Sequence, residues 1–97
     1  MKKLFISQPM RGKSEETILV EREKALQEVR DCFAIEAEVL DTFFNDVDGK
    51  SLEFLCKSIM MLAQADIAYF APGWENACGC RIQNICAKEY KLTVIEA

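Results

Sequence analysis

Ninety-seven residues, 51% of them apolar and 29% charged, support one folded domain and exclude a disordered chain. The formal net charge of −4 argues against binding a nucleic acid polymer, and no apolar run reaches the length of a membrane span. A chain this short buries a modest core, so a homodimer or larger homo-oligomer is expected to support it.

The first predicted element is a strand, Leu4 to Ser7, whose unbroken apolar start suits a strand buried on both faces of a parallel sheet. Gln8 to Lys13 then forms a turn with two cations, Arg11 and Lys13, around Gly12. Ser14 reads as the N-cap of a helix, with Glu15 and Glu16 in the first turn where the dipole favours acids. That helix runs to about Phe33, with Ile18, Ala25, Val29 and Cys32 on its inner stripe. A short second strand is expected near Val39 to Asp41, followed by a loop from Thr42 to Gly49. Ser51 reads as the cap of a second helix, whose apolar stripe is Leu52, Leu55, Cys56, Ile59, Leu62 and Ala63. A third strand, Ile67 to Phe70, ends before the breaker Pro72-Gly73. A third helix from about Gly79 to Tyr90 and a fourth strand from Leu92 to Ile95 complete the chain.

This alternation predicts an α/β fold with helices on both faces of a four-stranded parallel sheet. A flavodoxin-like order, 2-1-3-4, sets the reversal of strand order between the first and third strands. Ligands of such sheets bind beyond the carboxyl ends of the strands at that reversal. The loops at 8–13 and 71–78 would face one another there.

The first loop reads as an anion site. A helix N-terminus presents unpaired N–H groups and the positive end of the dipole, and Arg11 and Lys13 add formal charge beside them. Ser7 to Ser14 nearly matches the phosphate loop G-x-x-x-x-G-K-[ST], but Ser7 replaces the first glycine and the third strand ends without a magnesium-binding aspartate. A solubilising surface turn is the plain alternative.

The five cysteines are odd in number, and no secretory leader is read at the start of the chain, so free thiols and a cytoplasmic location are expected. Cys78, Cys80 and Cys86 cluster, yet the chain has no histidine and no evident fourth ligand. Small buried thiols are the better reading, and neither a metal nor another cofactor is expected. Gly79, Gln83 and Ala87 share one face of the third helix, where small residues permit close approach and Gln83 can reach the crevice. Close helix–sheet packing is the alternative.

Three segments together carry a resemblance: Ser7 to Lys13 (SQPMRGK), Asp66 to Phe70 (DIAYF) and Gly73 to Ile82 (GWENACGCRI). They are similar to the small bacterial and phage relatives of nucleoside 2-deoxyribosyltransferases, a superfamily that also holds 2′-deoxynucleoside 5′-monophosphate N-glycosidases. The resemblance implies a flavodoxin-like sheet, an oligomer and a nucleoside or nucleotide as small-molecule ligand. In the phosphate-using branch it implies a 5′-phosphate held at Ser7, Arg11, Gly12 and Lys13, with Ser14 beside them.

The family pattern [SD]-x-G-x-x-x-E supplies a glutamate nucleophile and a ligand-facing serine or aspartate. Here those positions are Gln83 and Ala77, around an unchanged Gly79. Cleaving an N-glycosidic bond builds an oxocarbenium-like cation, which a carboxylate stabilises and attacks. Glutamine keeps the shape and an acceptor oxygen but has no charge. The expectation is therefore a nucleotide-binding protein of this superfamily with catalysis lost at Gln83. Gln83 would contact the sugar and Trp74 would border the base, with Phe43 or Phe44 as other stacking candidates. Two alternatives stand beside it. One is an active N-glycosidase or deoxyribosyltransferase using Glu75 or an acid from another subunit as the substitute carboxylate, with Asp41, Asp46 and Asp48 as other acids that could point toward the crevice. The other is a structural or protein-binding role without a nucleotide.

Overall fold

The computed structural model describes residues 1–34, 36–40 and 51–97. The chain runs β1 (Lys2–Ser7), α1 (Glu15–Phe33), β2 (Ala37–Val39), α2 (Ser51–Leu62), β3 (Ile67–Phe70), a 3₁₀ turn (Trp74–Asn76), α3 (Cys78–Glu89) and β4 (Thr93–Glu96). The sheet order is β2-β1-β3-β4 and every pairing is parallel. This is the flavodoxin-like arrangement expected from the alternation of elements.

The sheet's period of two sorts the core into two layers. Leu4 and Ile6 of β1, with Ile67 and Tyr69 of β3, pack against Ala25 and Val29 of α1. Phe5, Ala68 and Phe70 face the other way and pack with Leu62 of α2 and Ala87 of α3. Ser7 stands two residues beyond Phe5, so it shares the α2/α3 side. Gln8 takes the α1 side, where its Nε2 donates to Ile18 O at 3.3 Å and its Oε1 accepts from Arg22 Nε at 2.7 Å.

Four expectations need correction. β2 pairs earlier than predicted, at Ala37–Val39, because Lys2 and Leu4 of β1 are the residues opposite it. Pairing extends one residue further only through Leu40 N–H to Leu4 O, at 2.8 Å. On α1 the inner stripe is Ile18, Arg22, Ala25 and Val29, and Cys32 is exposed. On α2 the inner side is Ser58 and Leu62, while Leu52, Cys56 and Ala63 face outward. α3 and β4 are each offset by one residue from the expected bounds. The loop expected over 42–49, with Asp41, Phe43, Phe44, Asp46 and Asp48, lies outside the described residues.

Among the described residues no helix is long and apolar enough to cross a membrane. Two tight turns use glycine for its backbone: Gly12 at φ 77° and Gly73 at φ 87°. A side chain at Gly73 would also lie 3.6 Å from Pro9, so the loops after β1 and β3 abut. That contact brings the two loops together at the reversal of strand order.

Candidate functional site

A crevice of about 400 Å³ opens at the carboxyl end of β1. β1 and its following loop supply Ser7, Pro9 and Met10; α2 supplies Phe54, Leu55 and Ser58; the start of α3 supplies Ala77, Gly79, Cys80 and Gln83. Gly79 stands next to α2: a Cβ there would make an ordinary contact, 3.8 Å, with the Leu55 methyl.

Most of this wall is apolar, and a buried chain of hydrogen bonds crosses it. Ser7 Oγ donates to Gln83 Oε1 at 2.6 Å. Gln83 Nε2 donates to Ser58 Oγ at 2.7 Å, and Ser58 Oγ donates to the Leu55 carbonyl at 2.7 Å. All three side chains are buried. The amide oxygen has a second lone pair and the amide nitrogen a second N–H. A ligand hydroxyl, which both donates and accepts, is matched to that pair. Cys80 sits beside them. Burial pushes its thiol above the ordinary value, against the opposing pull of the Ser7 hydroxyl and the Lys13 charge.

The structure brings together Ser7, Ala77, Gly79 and Gln83. It does not bring the cationic loop into the crevice wall. The lining stops at Met10. Arg11 and Gly12 are exposed, and the Lys13 ammonium is held by both oxygens of Glu21, at 2.9 and 3.0 Å. Ser14 caps α1 as expected, its Oγ accepting from Thr17 N–H at 3.2 Å. Trp74 packs its ring on Phe70, with centroids 5.6 Å apart, and is not part of the lining. Glu75 is exposed outside the crevice, where its backbone carbonyl accepts from Arg81 at 2.9 Å.

Among the described lining residues there is no carboxylate. The three clustered cysteines separate: Cys78 is exposed, Cys80 is buried and Cys86 is half-buried. Among the described residues no three cysteine or acidic side chains gather as a metal centre requires. Sequence reasoning missed Ser58, Phe54 and Cys80 as crevice residues. The available signal for Ser58 is its position on the same side of α2 as Leu62, where a polar residue needs a partner. No protein-family profile matches this chain, and neither does a curated protein or a solved structure.

Proposed function

We propose that the crevice binds a nucleoside 5′-phosphate and that the chain lacks the chemistry of the N-glycosidases that its sequence resembles. Gln83 carries the reading. By the sequence resemblance it stands where a nucleophilic carboxylate is expected, and it is fixed between Ser7 and Ser58 as a neutral amide with one donor and one acceptor valence left over. A furanose hydroxyl is the group that suits both valences. Phe54 offers an aromatic wall, and the crevice volume falls within the size range of small-molecule sites.

The phosphate would extend past Met10 toward the N-terminus of α1. There the exposed Arg11 offers a positive charge, and α1 offers those N-terminal N–H groups that the Ser14 cap does not take, against the opposing charges of Glu15 and Glu16 in its first turn. Lys13 joins only by exchanging its Glu21 partner for the ligand. An uncharged wall holds a substrate without stabilising a sugar cation, so binding without turnover is the function that these residues support.

Titration calorimetry with nucleosides and their 5′-monophosphates tests the reading. The monophosphate is expected to bind more tightly than its nucleoside. Arg11→Ala is expected to weaken the monophosphate about tenfold, as loss of a charge-assisted contact does, and to leave the nucleoside unchanged. Absence of heat with either ligand at millimolar concentration would remove the nucleotide and favour a structural role. Base release by the unaltered protein would instead establish an enzyme.

A further inference from the structure

Ser58 is a buried polar residue on the inner side of α2, with Leu62 one turn further on. Its hydroxyl makes two hydrogen bonds of opposite sense. It donates to the Leu55 carbonyl, one turn back on its own helix, at 2.7 Å, and it accepts from Gln83 Nε2 at 2.7 Å. A hydroxyl has one proton to give. With that proton placed on Leu55, Ser58 can only accept from the Gln83 amide. Ser7 imposes no such direction. Its hydroxyl donates to Gln83 Oε1 at 2.6 Å, and the same oxygen would accept equally well from an amide nitrogen.

We propose that Ser58 is the positioning residue of the crevice. It fixes which end of the Gln83 amide faces β1 and which faces α2, and thereby the order in which the wall offers an acceptor and a donor to a ligand hydroxyl. The number of bonds sets the preference. As found, the chain from Ser7 through Gln83 and Ser58 to Leu55 has three hydrogen bonds, all donating in one direction, so that each strengthens the next. With the amide turned over, Ser58 must donate to Oε1 and release Leu55, and two bonds remain. One hydrogen bond of this kind favours the observed orientation about tenfold. The spare lone pair of Oε1 therefore lies toward β1 and the spare N–H of Nε2 toward α2. Gln83 and Ser58 both line the crevice, so that order is what a guest meets. The orientation stands on the protein alone; that the guest is a furanose rests on the nucleotide reading above.

Two measurements test orientation and specificity separately. In isotopically labelled protein, the Gln83 side-chain amide signal of the nuclear magnetic resonance spectrum is identified by its loss in Gln83→Glu. One of its protons is expected to exchange with water at least about tenfold more slowly than those of the exposed Gln64. Ser58→Ala is expected to remove that protection and Ser58→Thr to keep it. The side-chain amide of Asn84, bonded to Glu96, is expected to stay unchanged in both, which shows that the variants fold. Calorimetry then compares nucleoside 5′-monophosphates with their 2′,3′-dideoxy counterparts, which differ only in the furanose hydroxyls. The parent is expected to favour the hydroxylated member about tenfold, Ser58→Ala no more than about threefold, and Ser58→Thr to recover the parent ratio. A merely structural loss would weaken both members alike and leave the ratio where it was. Protection of Gln83 that survives Ser58→Ala overturns the proposal. So does a parent without preference, or a ratio indifferent to Ser58→Ala. If no monophosphate binds, the nucleotide reading falls by itself, and proton exchange still decides the orientation.

Discussion

Gln83 makes one hydrogen bond to β1 and one to α2, and so ties the two elements together. Its replacement by glutamate is the sharpest change available. Ser7 and Ser58 can both rotate their hydroxyls to donate to a carboxylate, so Gln83→Glu is expected to fold. It should also produce measurable base release from deoxynucleoside monophosphates, at least 10²-fold above the parent by the scale of a lost electrostatic partner (about 10²–10³). High-performance chromatography of the free base checks it, with Ala77→Ser as an added change. Lys13 makes a second case. Its ion pair with Glu21 holds the cation away from a ligand, so Glu21→Gln is expected to strengthen monophosphate binding by roughly threefold, within the reach of a partly exposed pair. Calorimetry at fixed salt reads that shift. The sequence made Ser7, Gly79 and Gln83 legible because helical and strand spacing fixes which residues share a side. It did not reveal the Lys13–Glu21 pair. Those partners lie eight residues apart, with Lys13 before the helix cap at Ser14, so helical spacing does not announce them.

Elements were legible wherever one periodicity dominated. β1, β3 and α1 were readable because a continuous apolar strand and an N-cap followed by acids each admit one assignment. α2 was misread on its outer side: an apolar residue facing outward contributes to a stripe as strongly as one facing inward, and Leu52 and Cys56 shifted the reading away from Ser58. Arg22 was missed for a related reason, since an arginine on an inner stripe needs a partner such as Gln8 that sequence spacing does not announce. The tie between β3 and α1 yields a prediction. Tyr69 Oη donates to Glu28 Oε2 at 2.6 Å across the layer. Burial first, then the Glu28 carboxylate, pushes the phenol above its ordinary value of 10.0. The unfolded chain therefore ionises this group more readily than the folded one. Its contribution is complete below pH 10 and is lost as pH rises above it. Tyr69→Phe is expected to cost about 1–2 kcal/mol near neutrality, as a hydrogen bond to a charged acceptor does. It should also flatten the alkaline fall in stability, measured by urea unfolding between pH 8 and about 11.

At the scale of the whole molecule, the four strands and three helices of the described residues leave β2 and β4 at the edges of the sheet and Leu52 and Met60 of α2 exposed. If the chain forms the homo-oligomer that its short length leads one to expect, unfolding of the assembly is coupled to dissociation, and the melting temperature is expected to rise with protein concentration. Tenfold more protein should add about 1.4 kcal/mol per dimer, read by calorimetric scans at several concentrations. The fold at this scale was the most legible part of the chain, because alternating elements with short connections permit few parallel arrangements. What spacing could not convey was the depth at which each loop residue comes to rest, which is why Arg11 stands outside the crevice that its neighbours build. That crevice has one more property worth drawing out. Of its described lining residues only Cys80 can ionise, burial raises its thiol, and the chain contains no histidine. Its wall therefore stays electrically silent from mildly acidic to neutral solution. Affinity for an uncharged nucleoside should be level from pH 5 to about 7.5, and any slope for the monophosphate should track the guest's own second ionisation near pH 6.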